Sequence, residues 1–140
     1  MESLKVSDYM NTHPVKLGVE MPVAEAVERL LQSGQTGGPV VDVKGKVVGF
    51  VSEQDCLQRM IESSYYREQV CRVKEVMRTP ALTVKPYSSV LELAQMLLQS
   101  KPRIYPVVDD DGVLVGTINR AAVLRAIDLQ LRSGYQKMAG

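Results

Sequence analysis

The apolar positions of this chain change period several times, and they do so twice in the same order. Between residues 22 and 31, Val23, Ala26, Val27, Leu30 and Leu31 fall on one stripe at the 3.6-residue period of an amphipathic helix, with Pro22 at its opening. Pro39-Val40-Val41-Asp42 and Lys46-Val47-Val48-Gly49-Phe50-Val51 then read as two β-branched strands around Val43-Lys44-Gly45, a hairpin whose glycine accepts a positive φ. A short strand is predicted near residues 15–17, before the first helix, and a second helix over 53–61 or beyond. The series then recurs. A short strand near 82–84 leads to Ser88 or Ser89 as an N-cap and to a stripe of Val90, Leu93, Ala94, Leu97 and Leu98. A hairpin follows, turning through Asp110-Asp111-Gly112, and then a helix over about 120–131.

The recurrence is literal at a fixed offset of 67 positions, without a gap, from Val6 to Met60. Leu30-Leu31-Gln32-Ser33 falls on Leu97-Leu98-Gln99-Ser100, and Pro39-Val40-Val41-Asp42 on Pro106-Val107-Val108-Asp109. Met10/Met77, Thr12/Thr79, Gly49/Gly116 and Leu57/Leu124 hold the same register. Neither copy covers its sheet alone, because three short strands with two helices on one face leave the other face open. The expected fold is therefore mixed α/β (α+β): two pseudo-symmetric βαββα repeats packed sheet to sheet. Residues 1–67 hold the first repeat with its N-terminal segment and connector, and 68–140 the second with a C-terminal helix and tail. Clefts between the copies at the strand ends are where a ligand docks.

Composition narrows the function classes. Among 140 residues, 45% are hydrophobic and 24% charged, which excludes wholesale disorder. Seventeen basic against 16 acidic side chains give a net charge of +1, too little for a nucleic-acid groove, so no nucleic-acid partner is expected. No apolar run is long enough to span a bilayer, and Met1-Glu2-Ser3-Leu4-Lys5 lacks the plan of a secretory signal, so no membrane association is expected. Cys56 and Cys71 are expected to stay reduced in the cytoplasm, and with one histidine no metal site is expected. His13 has no partner at catalytic or metal spacing, and Asp109-Asp110-Asp111-Gly112 reads as a solvated turn. Tyr65 and Tyr66 lie in a polar connector and mark either a dimer contact or a cap on that connector.

Each copy resembles a cystathionine β-synthase (CBS) domain, and the tandem resembles a Bateman module. The residues that carry the resemblance are Met10–Thr12 and Met77–Thr79, the two Pro-Val-Val-Asp strands, and Gly49-Phe50-Val51-Ser52-Glu53-Gln54-Asp55. It spans residues 6–131. The resemblance implies a regulatory, non-enzymatic module that senses AMP, ADP or ATP, with S-adenosylmethionine or an NAD-type compound as alternatives. It also implies a homodimer and output to a separate regulated protein.

Ser52 and Asp55 stand where a strand gives way to a helix, whose free N–H groups and positive dipole end suit a phosphate. Two readings stand side by side: a hydroxyl and a carboxylate for phosphate and ribose, or a serine cap with its partner at N3 and no ligand. In the second copy Asn119 and Ala122 replace the pair, and a methyl group cannot accept from a hydroxyl, so that cleft is expected to be weak, empty or altered. Carried over by position, the resemblance puts Phe50, Ser52, Gln54 and Asp55 on the ribose-phosphate side. Thr79, Val84, Pro102 and Arg103 surround the base, and Thr36 and Gly37 approach the phosphates. No aromatic residue stands at the usual base-stacking positions. The alternative function is a ligand-free structural module that dimerises or binds other proteins. An enzyme is not expected, since no nucleophile–base pair, Gly-rich phosphate loop or metal cluster is present.

Overall fold

The computed structural model describes residues 4–62, 71–99 and 102–139, with side chains described as far as Gly134. Tyr65 and Tyr66 lie outside the described residues. In the first copy β1 (Leu17–Gly18) leads through α1 (Val23–Ser33) to a hairpin of β2 (Gly37–Val41) and β3 (Val47–Ser52), followed by α2 (Glu53–Glu62). In the second, α3 (Val90–Leu98) precedes β4 (Ile104–Val108), β5 (Leu114–Asn119) and α4 (Arg120–Ala139). β1 pairs parallel with β2, which pairs antiparallel with β3. The second copy repeats this with β4 antiparallel to β5, and the counterpart of β1 reduced to one parallel bridge between Val84 and Val107.

Local chemistry explains the element ends. α1 stops at Gly34, whose φ of 71° is the left-handed cap conformation that lets its N–H reach the Leu30 carbonyl at 3.0 Å. Ser89 caps α3 by accepting from the Glu92 N–H at 3.3 Å. The two hairpin turns are built alike. Asp42 Oδ1 accepts from the N–H groups of Lys44 and Lys46, and Asp109 Oδ1 from those of Asp111 and Val113. Gly45 and Gly112 supply the positive φ, 82° and 83°. The acidic run at 109–111 is thus a turn, as its composition predicts. α4 runs past the predicted end near residue 131 to Ala139.

Two hydrophobic cores form, and each takes its lead-in from the other copy. Val6, on a 3-10 turn at Val6–Asp8, is buried with Val84, Val90, Leu93, Tyr105 and Ile118 of the second copy. Val73, on a turn at Val73–Glu75, is buried with Leu17, Val23, Leu30, Val40 and Val51 of the first. Backbone bonds fix the exchange: Val6 N–H to Ser88 O at 3.0 Å and Val73 N–H to Met21 O at 2.8 Å. The lead-ins then cross the opposite sheets. Arg78 and Phe50 exchange N–H···O bonds of 2.8 and 3.0 Å, as do Asn11 and Thr117 at 2.7 and 3.0 Å. Glycine makes room for these crossings. A Cβ on Gly49 would sit 2.7 Å from Met77 Sδ and 3.1 Å from Arg78 O, and one on Gly116 2.7 Å from Asn11 O. The hairpin ends also pair between copies, through Val47 N–H to Gly112 O and Leu114 N–H to Gly45 O. The sheets therefore pack around a pseudo-two-fold axis, with β2 approaching β4.

Candidate functional site

Strand β3 alternates its faces. Gly49 and Val51 are buried on the side of the first core, and Phe50 and Ser52 turn to the opposite, less buried face. The Phe50 ring lies over Gly37, where a Cβ would fall 2.7 Å from Phe50 Cε1, so Gly37 is the residue that admits the ring. Beside it the chain passes from β3 into α2, and the first turn is tied by reciprocal bonds. The Asp55 N–H donates to Ser52 Oγ at 3.0 Å, and the Ser52 N–H donates to Asp55 Oδ2 at 3.0 Å. The Glu53 N–H donates to the Thr36 carbonyl at 2.8 Å, which holds the α1–β2 loop against this junction.

Asp55 also meets a residue that its own copy does not supply. Arg78 Nε donates to Oδ1 at 3.0 Å and Oδ2 at 3.2 Å, and Nη2 donates to Oδ1 at 2.9 Å. The Asp55 side chain is 10% exposed, that of Arg78 70%. Burial on its own pushes the Asp55 carboxyl up, but the bonds from Arg78 and Ser52 outweigh it and hold the carboxyl below its usual range. Arg78 is held above its ordinary value by the same pair.

The remaining predicted residues distribute themselves unevenly. Thr36 and Arg103 share a cavity of about 750 Å³ with Gly34, Gln35, Asn119 and Arg120. Arg103 is thereby gathered at the second copy's own strand–helix junction, where its carbonyl accepts from the Arg120 N–H at 2.9 Å. Gln54 turns into a groove of about 410 Å³ between α1 and α2, with Leu31, Leu57 and Met60. Thr79 is exposed next to Arg78, and Pro102 is exposed before β4. Val84 is 8% exposed and packs its side chain in the second core, because its strand-like bridge to Val107 points it inward. Asn119 caps α4 by accepting from the Ala122 N–H at 2.8 Å. Near it Tyr9, Asn11, Thr117, Asn119 and Ala122 line an open cavity of about 270 Å³. His13 is exposed, and its ring Nδ1 lies 3.2 Å from Thr12 Oγ1.

Sequence reasoning missed Arg78. The signal was present all the same: at the offset of 67, Arg78 corresponds to Asn11 and Asp55 to Ala122, so both partners of the ion pair differ together between the copies.

The profile of the CBS domain matches residues 6–62 and again 73–129. The chain belongs to the CBS-domain family. Among curated relatives, the chloroplastic CBS domain-containing protein CBSX1 of Arabidopsis thaliana is 35% identical over 137 residues, covering 80% of this chain and 58% of that protein. An A-adding tRNA nucleotidyltransferase of Aquifex aeolicus is 30% identical over 124 residues, or 89% of this chain but only 14% of that enzyme. The chain thus spans less than two thirds of each of these relatives. Among solved structures, CBSX2 of Arabidopsis thaliana in complex with AMP is 30% identical with a TM-score of 0.79, covering 92% of this chain and 98% of that one. Among the described residues no helix is long and apolar enough to cross a membrane. Nor is any group of three or more His, Cys, Asp or Glu among them placed to hold a metal ion.

Proposed function

We propose that this CBS pair is a regulatory sensor that binds an adenosine-type nucleotide, AMP, ADP or ATP, in the cleft between its two repeats. In this reading Asp55 accepts the ribose hydroxyls, while the Ser52 hydroxyl and the N-terminus of α2 face the phosphate. The observation that carries it is the Ser52–Asp55 pair at the start of α2, turned toward the lead-in of the other copy. A relative of 30% identity crystallised with AMP supports the choice of ligand. The pair acts without catalysing a reaction. Its occupancy passes to dimer geometry or to a separate polypeptide. Free thiols at Cys56 and Cys71 support residence in a reducing compartment such as the cytoplasm.

Calorimetry with AMP, ADP, ATP, NADH and S-adenosylmethionine tests the reading. Binding by none of them below about 1 mM, roughly −4 kcal/mol, sinks it. Asp55→Ala is expected to weaken AMP binding at least tenfold, about 1.4 kcal/mol, and Asn119→Ala to change it less than threefold, about 0.6 kcal/mol.

A second reading, a ligand-free dimerisation module, is favoured by one observation. Leu31 and Leu57 are 71% and 58% exposed, and their counterparts Leu98 and Leu124 are 88% and 69% exposed. These residues line two equivalent grooves that a second copy of the chain would cover. A stable dimer whose melting temperature ignores every nucleotide would favour this reading over the first.

A further inference from the structure

The two clefts of the pair are built alike and filled differently. In one, Ala122 faces the lead-in residue Asn11, and an open cavity of about 270 Å³ remains. In the other, the corresponding positions carry Asp55 and Arg78, and the guanidinium lies across both carboxylate oxygens. Asp55 has few acceptor positions left, since Oδ2 also takes the Ser52 N–H. A ribose can therefore reach Asp55 only by displacing Arg78. The backbone of Arg78 is pinned to Phe50 in both directions, at 2.8 and 3.0 Å, so displacement is a swing of the side chain alone. With the Arg78 side chain 70% exposed, that swing meets little obstruction.

We propose that Arg78 is a displaceable latch on the nucleotide cleft and the residue that makes it select phosphorylated nucleosides. The proposal rests on Asp55 being the ribose acceptor. A cis-diol supplies two O–H donors in exchange for the N–H donors it displaces, so hydrogen bonds roughly balance. Charge does not balance. A nucleoside leaves a largely buried carboxylate without its counter-charge and a guanidinium without a partner. A 5′-phosphate on the same ligand corrects the second loss, because the freed fork of N–H groups matches a phosphate in bidentate fashion. The swing of an arginine about a fixed backbone covers a distance comparable with that from a ribose diol to its 5′-phosphate. A neutral nucleoside thus meets the closed latch with no reward for opening it, whereas a nucleotide re-pairs the arginine it displaces. The other cleft, with Asn11 and Ala122 at these positions, has no such latch.

Calorimetric titration of the full chain with AMP and with adenosine tests this, on the wild type, Arg78→Gln and Arg78→Lys, with thermal melts to confirm folding. The wild type is expected to prefer AMP by about tenfold or more. Arg78→Gln should bind adenosine several-fold tighter than wild type and lose about tenfold of the preference for AMP. Arg78→Lys, which keeps the charge but not the fork, should fall between them. Two outcomes overturn the latch while leaving the cleft intact. In one, Arg78→Gln leaves both affinities at their wild-type values, so the pair is only a surface contact. In the other, both weaken equally, so Arg78 only positions Asp55. If neither wild type nor Arg78→Gln binds adenosine or AMP, the nucleotide reading itself fails and the latch falls with it.

Discussion

At Asp55 two opposing influences set the charge. Burial raises the carboxyl, and the bonds from Arg78 and Ser52 lower it further than burial raises it. A group whose folded value lies below its unfolded one, about 3.9 for aspartate, lends stability that is complete above that unfolded value. That stability is lost as pH falls through the folded value. Asp55→Asn removes this contribution and keeps the shape. The melting temperatures of wild type and variant should therefore differ by a constant amount between about pH 5 and 7 and converge below about pH 4. Circular dichroism melts across that range check it, and a gap that widens on acidification refutes the sign. Other lowered carboxylates, such as Glu75 beneath the Arg72 N–H, are common to both proteins and cancel. The serine and aspartate of this site were legible because they lie three residues apart at a strand–helix junction. Arg78 was not, because its partner stands 23 residues away in the other copy and no local period links the two. Val84 shows a different limit: position within the family pattern puts it beside a base, and its burial in the second core follows from its apolar, β-branched side chain.

At the scale of elements, the helices and hairpins follow from period and turn chemistry, whereas the exchange of lead-in segments does not. Both copies carry the same lead-in pattern, so a valine at residue 6 or 73 announces a buried contact without saying in which core. The structure assigns Val73 to the first core and Val6 to the second. Val73→Ala should cost about 1.5–3 kcal/mol, and hydrogen exchange should quicken in β1–β3 and α1 more than in β4 and β5. Val6→Ala should show the reverse. Equal quickening in both halves would contradict separate cores. The crossings also rank the two motif glycines. The nearest atom to a Cβ on Gly49 is the Met77 sulfur at 2.7 Å, which can swing aside, whereas on Gly116 it is the backbone oxygen of Asn11 at 2.7 Å, which cannot. Chemical denaturation of Gly49→Ala and Gly116→Ala should show losses of about 1–3 kcal/mol, the larger at Gly116. The extension of α4 beyond residue 131 escaped the pattern because Gly134 and the polar residues around it discourage a helix at that point.

For the whole molecule, the duplication places two equivalent apolar grooves at positions related by the same offset, and at one of those positions the bordering charge changes sign. Glu53 borders the groove of Leu31, Leu57 and Met60, and its counterpart Arg120 borders that of Leu98, Leu124 and Ile127. If a second copy covers both grooves as proposed, its orientation has an electrostatic consequence. Head-to-head, Glu53 faces Glu53 and Arg120 faces Arg120. Head-to-tail, each glutamate faces an arginine, twice by symmetry. An exposed pair contributes about 0.2–1 kcal/mol, so two amount to about 0.4–2 kcal/mol per dimer, between twofold and about thirtyfold in dissociation constant. The head-to-tail arrangement is the one predicted, since it turns a repulsion into an attraction with the apolar contact unchanged. Leu124→Glu should yield monomers in sedimentation velocity by placing a charge in that contact. Glu53→Arg should weaken the dimer by the factor above, and more so at low salt. Glu53→Arg with Arg120→Glu should restore it, because swapping both ends recreates the opposite pairs. A head-to-head dimer gives a different pattern: the single variant exchanges one set of like charges for another and leaves the dissociation constant nearly where it was. A chain that sediments as a monomer before any substitution removes the second copy from these grooves and leaves their leucines to a different protein.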